Sequence, residues 1–201
     1  MTDAPSTETR RVYRLLPSLG DFRTLRLRDD TLQGLARWCY QGPPHEPPSV
    51  FPAAWVGKRQ WRTTEFPTHY AEAPILSRRV ADLLRDDLRT AGSLAPVTID
   101  NPVDDTEYVV YVVHAVVDCV DVDRSSPEPV NPTGELERTV FRPDAVPSGL
   151  PAFRIPQFPV AVHWNGWAAD RLAELLGEDL ERRLVWSDDP EAVPHHRPWG
   201  I

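Results

Sequence analysis

The stretch Tyr108-Val109-Val110-Tyr111-Val112-Val113-His114-Ala115-Val116-Val117 decides the fold. β-Branched and aromatic residues occupy both alternating sets of positions, so both faces of an extended chain would be apolar. This pattern is typical of a central strand that is covered on both sides of its sheet. The sequence therefore predicts a buried strand over about 107–122.

Helical patterns lie on either side of this strand in the sequence. Ser77 is a suitable N-cap for a helix over about 78–89, and Gly177 is suited to end a second helix over about 165–176. Shorter strands are predicted near 12–16, 22–27, 160–164 and 184–186, whereas 31–40 fits either a short helix or a strand. This order predicts an α+β fold with two main helices and a mixed or mainly antiparallel sheet.

The 201 residues suit a single domain, which we expect to span 1–201. Its irregular parts are a polar lead-in over 1–10, a Pro-rich loop over 41–52 and a polar, proline-broken tail over 188–201. Two cysteines and an N-terminus without a signal-peptide pattern make the cytoplasm the expected compartment.

Composition also excludes several classes of protein. The longest apolar run is about half of what a membrane helix needs. Seven Trp, six Phe and five Tyr are too many aromatic residues for a disordered acidic chain. A formal net charge of −8 argues against a nucleic-acid partner, because phosphate binding requires a basic surface.

Motifs for cofactors are missing from the sequence. Neither common glycine-rich phosphate loop occurs, and none of the six histidines has the spacing of a zinc site. We therefore expect no cofactor and no metal.

The best chemical constellation is the carboxylate set Asp118, Asp121 and Asp123, with His114 and Ser125 close in sequence. Strand parity would direct Asp118 to one face and the other two to the opposite face. Asp121-Val122-Asp123 imitates a divalent-ion motif, so a small enzyme or a ligand-binding domain is one interpretation. The other is structural: Asp121 and Ser125 bond the backbone of a turn that leaves the sheet, and His114 is a buried, neutral imidazole bonded to backbone.

Three blocks resemble the eleventh immunity-protein family of bacterial polymorphic toxin systems, formerly a domain of unknown function. The blocks are Ala73-Pro74-Ile75-Leu76-Ser77-Arg78-Arg79-Val80-Ala81-Asp82-Leu83-Leu84, the strand from Tyr108 to Asp121 with Ser125, and Phe153-Arg154-Ile155 followed by 160–177. The resemblance covers roughly 66–186, and 41–52 looks like an insertion. It implies a non-catalytic protein that binds and neutralises a toxin, with no catalytic residues.

The net charge is concentrated in one part of the chain. Residues 86–123 hold nine acidic residues and one arginine, which accounts for the whole formal charge of −8. A basic cleft on a toxin would complement this charge and associate faster. We expect Asp100, Asp104, Asp105 and Glu107 to meet such a partner, with exposed tryptophans as candidate anchors. The sequence leaves open whether the protein is a monomer or a homodimer.

Overall fold

The computed structural model describes residues 9–18, 20–42, 45–132 and 134–200. The strands in these ranges are β1 (Arg11–Pro17), β2 (Thr24–Leu27), β3 (Phe51–Val56), β4 (Ile75–Ser77), β5 (Gly92–Asp100), β6 (Tyr108–Val113), β7 (Ala152–Ile155), β8 (Phe158–Asn165) and β9 (Leu180–Ser187). The helices are α1 (Asp29–Gln41), α2 (Arg78–Leu83), α3 (Arg85–Arg89) and α4 (Gly166–Leu176). The predicted α+β class is confirmed.

The strands form two sheets. One is antiparallel, with the order β7-β8-β1-β9. The other has the order β2-β3-β5-β6-β4 and is mixed, because β3 and β5 run parallel while the other neighbours are antiparallel. The carboxyl ends of β3 and β5 and the beginning of β2 therefore lie at the same edge of the mixed sheet.

Strand β6 is apolar on both faces, as the sequence predicts. Its even-numbered residues join one apolar cluster with Leu35 of α1, and its odd-numbered residues join a second cluster with Leu88 of α3 and Leu172 of α4. Each cluster also contains residues of the antiparallel sheet, such as Phe153 in the first and Trp164 in the second. The two sheets thus share one interior, with β6 between its two parts.

The predicted strand over 107–122 is too long. Its ladder with β5 ends where Gly92 pairs with Val113, and the carbonyl oxygen of Ala91 then accepts bonds from the backbone N–H groups of both His114 and Ala115. A Cβ at position 92 would lie 2.2 Å from the carbonyl oxygen of Val112, so only glycine fits there. In the rest of the predicted strand, over 114–122, the chain makes only two isolated bridges, at Val116 and Val120.

The predicted helix over 78–89 is two short helices, α2 and α3. Ser77 caps the first as expected, because its hydroxyl accepts a bond from the N–H of Val80. Leu84 interrupts the helix at φ −111° and ψ 12°, and it lies buried with Leu88 in the second apolar cluster. No glycine or proline lies at this break, so the sequence pattern does not indicate it.

The two long helices are α1 and α4. Helix α1 resolves the open interpretation of 31–40 in favour of a helix, and α4 confirms the prediction near 165–176, with Asn165 as N-cap and Gly177 at φ 53° after its last residue. Of the two main helices predicted, the second is therefore confirmed, whereas the first, over 78–89, was wrong because that segment forms two short helices.

Two strands of the mixed sheet contain prolines and were not predicted from the sequence. Pro52 lies inside β3 and Pro96 inside β5, although proline cannot donate a ladder bond. Phe51 and Pro52 thus belong to a strand, and the loop predicted over 41–52 ends before them; Pro43 and Pro44 lie outside the described residues.

The two terminal segments contact the folded part of the chain. Most of the lead-in predicted over 1–10 lies outside the described residues. Within the described part, the N–H of Arg10 donates to the carboxylate of Asp188, and the N–H of Asp188 donates to the carbonyl oxygen of Arg10. The polar tail carries a buried indole, Trp199, which packs edge-on against Phe158 at 5.1 Å between ring centroids.

A histidine lies in this aromatic packing. His163 is 0% exposed, stacks on Phe153 at 5.7 Å and contacts the indole of Trp199 at 5.0 Å. Neither ring nitrogen has a hydrogen-bond partner among the described residues. Burial lowers the pKa of His163 to about 3, and the backbone of Ala161 has a smaller, opposite effect.

A buried arginine joins three segments of the interior. The guanidinium of Arg154 donates to the carbonyl oxygens of Val113 (2.8 Å), Pro159 (3.1 Å) and Cys39 (3.3 Å). It also lies 4.4 Å from the ring centroid of Trp38. Burial lowers the pKa of Arg154, and the carbonyl oxygens replace part of the hydration that the cation loses.

Candidate functional site

The loop over 100–107, called the acidic loop below, connects β5 to β6. Its second residue, Asn101, has φ 58°, a left-handed conformation that asparagine tolerates and that turns the chain out of the sheet where β5 ends. Every residue of the loop is exposed, including the four acids that the sequence suggests for partner binding: Asp100, Asp104, Asp105 and Glu107.

Two of these acids are held by local bonds. Asp104 accepts from the N–H of Thr106 at 2.9 Å and from the hydroxyl of Thr63 at 3.3 Å. Glu107 lies 3.5 Å from the Nε of Arg78. Asp100 and Asp105 have no ion-pair partner among the described residues. The outer part of the loop thus presents negative charge that the chain does not neutralise locally.

The acidic loop forms one wall of an open cleft at the edge where β3 and β5 end. The opposite wall is the segment over 57–63, called the basic turn below, together with Arg23, which immediately precedes β2. The cleft has a volume of about 750 Å³. Its walls continue two paired strands, so the mixed sheet fixes their separation.

Trp61 is the aromatic side chain in this cleft. Gly57, at φ 115°, approaches it so closely that a Cβ there would lie 2.8 Å from its ring. The ammonium of Lys58 lies 5.5 Å from the ring centroid, within the range of a cation–π contact. A glycine contact and a cation therefore hold a half-buried indole at the entrance.

The tryptophans differ in how far they are exposed to solvent. Trp38, Trp164, Trp186 and Trp199 are buried, whereas Trp55, Trp61 and Trp167 are half-buried. Among the half-buried ones, Trp61 lines the cleft beside the acidic loop. Sequence reasoning missed Arg23 and Arg59, and it did not single out Trp61 among the tryptophans. The run Lys58-Arg59-Gln60-Trp61-Arg62, which combines cations with an indole, was the available signal for Arg59 and Trp61.

The other acidic set does not follow the predicted strand parity, because the strand has already ended. Asp118 is exposed and lies 3.9 Å from Arg142. Asp121 accepts from the N–H of Arg124 at 3.2 Å, and its carbonyl oxygen accepts from the hydroxyl of Ser125 at 2.7 Å. Asp123 is exposed. Asp121 and Ser125 therefore lie in a turn that is bonded to its own backbone.

His114 is not the buried imidazole that the sequence suggests. It is exposed, its Nε2 lies 2.9 Å from the hydroxyl of Ser93, and its ring meets the edge of Trp38 at 5.3 Å. Partial burial, with a smaller effect of Arg154, lowers its pKa. The alternation that would have buried residue 114 stops with β6 at Val113.

Cysteine and metal chemistry have little support in the described ranges. Cys39 and Cys119 are buried free thiols, and burial raises the pKa to about 11 for Cys39 and about 12 for Cys119. No group of three His, Cys, Asp or Glu side chains within these ranges is arranged to hold a metal ion. Nor does any helix there combine the length and apolar character that crossing a membrane requires.

Comparison with known proteins does not assign the chain to a family. No protein-family model matches it, and the search of curated proteins gives no match either.

Proposed function

We propose that this chain is a non-catalytic immunity protein, which binds a cognate polymorphic toxin in the cytoplasm and blocks its active site. The observation that carries the proposal is the pairing of two features at one sheet edge. An exposed acidic loop, in which two carboxylates have no ion-pair partner among the described residues, lies across a cleft from a half-buried tryptophan and two arginines. The order of the three sequence blocks described above supports the same function.

Each feature supplies a different part of binding. Tryptophan and arginine are enriched among the residues that contribute most to the affinity of protein–protein complexes, because they bury a large area and form several contacts at once. Exposed carboxylates contribute mainly to the association rate, since their field attracts a basic partner before contact. A toxin whose substrate cleft is basic therefore suits this surface.

Co-expression tests the function directly. If the proposal is correct, a toxin domain encoded next to this protein should kill cells when it is expressed alone and spare them when the protein is present. Failure of the wild-type protein to rescue would contradict the proposal. Rescue by the double variant Asp121→Asn and Asp123→Asn is expected, because those carboxylates have no part in the proposed mechanism; loss of rescue in a folded double variant would favour an enzyme instead.

A charge-matched pair of variants tests the surface. The first neutralises the acidic loop: Asp100→Asn, Asp104→Asn, Asp105→Asn and Glu107→Gln. The control neutralises four exposed acids elsewhere: Glu128→Gln, Glu137→Gln, Asp144→Asn and Glu178→Gln. Stopped-flow association with the toxin should slow about tenfold or more at low salt for the first variant and much less for the control. Equal slowing would show that only overall charge matters.

A further inference from the structure

The wall of the cleft that lies opposite the acidic loop has the opposite charge. Arg23 and Arg59 line it, and neither has an ion-pair partner among the described residues. Asp104 lines the cleft too, but its two oxygens accept from Thr63 and Thr106 instead of either arginine. The cleft thus has a cationic recess opposite an acidic wall.

Arg23 is fixed in this recess, and its guanidinium donates to no acceptor in the part of the chain that the structure describes. Its backbone N–H donates to the carbonyl oxygen of Arg62 at 2.8 Å, which ties the residue preceding β2 to the basic turn. Its guanidinium lies 5.2 Å from the ring centroid of Trp55. Its Nε is buried and has no hydrogen-bond partner among the residues that the structure describes. An acceptor that enters from solvent cannot reach this Nε, but the Nη groups of Arg23 are not buried and donate to no described residue, so they can bind it.

The chemistry of that acceptor follows from the donors. A guanidinium presents its N–H groups in a planar fork that matches the two oxygens of a carboxylate. Arg59 is exposed in the same cleft and supplies a second cation, and the indole of Trp61 can cover the aliphatic part of an entering side chain. The exposed carboxylates of Asp100 and Asp105 favour positive charge just outside the recess.

We infer that the cleft receives an acidic side chain of the partner protein, inserted toward Arg23 and Arg59, with basic residues on either side that face the acidic loop. This inference rests on the proposed function for the identity of the partner, but the recess itself can be tested without the toxin. The recognised segment has alternating charge: basic, acidic, basic.

The test titrates ¹⁵N-labelled full-length protein with synthetic peptides and follows the indole N–H signals of Trp55 and Trp61 by NMR. The first probe is acetyl-Lys-Gly-Glu-Gly-Lys-amide, and the matched probe has Gln in place of Glu. The Glu peptide should shift the indole signals of Trp61 and of Trp55, whose ring lies against the guanidinium of Arg23. The Gln peptide should bind with about tenfold lower affinity. Equal shifts with both peptides, or none with either, would overturn the inference.

Arg59→Gln and Arg23→Gln test the recess from the protein side. Arg59 is exposed, so its replacement leaves the fold intact, and it should weaken binding of the Glu peptide at least threefold. Arg26→Gln is the control. Arg26 lies on β2, three residues after Arg23, but outside the cleft, so this variant should bind as the wild type does. Unchanged binding in both recess variants would contradict the inference.

The outcomes of this test and of co-expression are separable. Rescue from the toxin without selective binding of the Glu peptide overturns the acidic anchor and leaves the immunity function standing. Selective peptide binding without rescue supports the recess and overturns the toxin as its partner.

Discussion

Replacing His163 with phenylalanine should make the stability of the protein less sensitive to acid. The imidazole is fully buried among aromatic rings, with no partner for either nitrogen among the described residues. Burial lowers its pKa from the ordinary value of 6.5 to about 3 in the folded protein. Between these two pH values the unfolded chain binds a proton that the native state does not bind. Acidification through this window therefore favours unfolding, whereas above pH 6.5 the effect vanishes.

The size of the effect follows from the lowered pKa. Each pH unit below 6.5 costs the native state about 1.4 kcal/mol, so by pH 5 the loss from this one residue is about 2 kcal/mol. Phenylalanine preserves the stack on Phe153 and removes the two unpaired nitrogens. We expect the variant to be at least as stable as the wild type at pH 7.5, because the desolvation cost of those nitrogens disappears.

Urea unfolding followed by tryptophan fluorescence at pH 5 and pH 7.5 measures this. The stability difference between the two pH values should be about 2 kcal/mol smaller in His163→Phe than in the wild type. The control His45→Gln, which removes an exposed histidine, should behave as the wild type does. If His163→Phe loses as much stability on acidification as the wild type, the imidazole is not isolated from water and the reasoning fails.

Three further substitutions test the interior by the same unfolding measurement. Arg154→Lys should destabilise the protein by about 2–4 kcal/mol, because an ammonium cannot satisfy all three carbonyl oxygens around the guanidinium. The control Arg171→Lys, at an exposed position, should change the stability little. Similar losses in both variants would contradict this. Gly92→Ala should cost more than about 2 kcal/mol, since its Cβ would overlap a carbonyl oxygen of the paired strand at 2.2 Å, while Gly149→Ala, with open space around it, serves as control. Ser125→Ala should cost about 1–3 kcal/mol, because the buried hydroxyl donates to the carbonyl oxygen of Asp121 and accepts a bond from the N–H of Val140. An unchanged urea midpoint would show that the turn does not depend on this hydroxyl.

The central element of the fold could be predicted from the sequence, because its signal is local. In β6, aromatic and β-branched residues on both faces require cover on both sides, and the structure provides it. The end of that strand was not predictable, because it depends on where β5 begins at Gly92, a long-range pairing. The strands that contain Pro52 and Pro96 were missed for a related reason: neighbouring strands decide whether a missing N–H matters.

The candidate site was predictable only in part. The acidic loop follows from charge counting, and the structure shows its four acids exposed. The cationic recess opposite it joins Arg23 to residues of the basic turn that are more than thirty positions later in the chain, so no local pattern reveals it. The position of Trp61 depends on a glycine contact that becomes apparent only in three dimensions.

The walls of the cleft have a consequence for how such a protein could diverge. Both walls are loops that follow the ends of paired strands, and their exposed side chains contribute little to the interior. Substitutions at exposed positions usually change stability by less than about 0.5 kcal/mol, so these loops can accept new charges and new lengths while the sheet persists. Recognition of a different partner could therefore arise by exchanging the two loops together, with the scaffold and its folding unchanged.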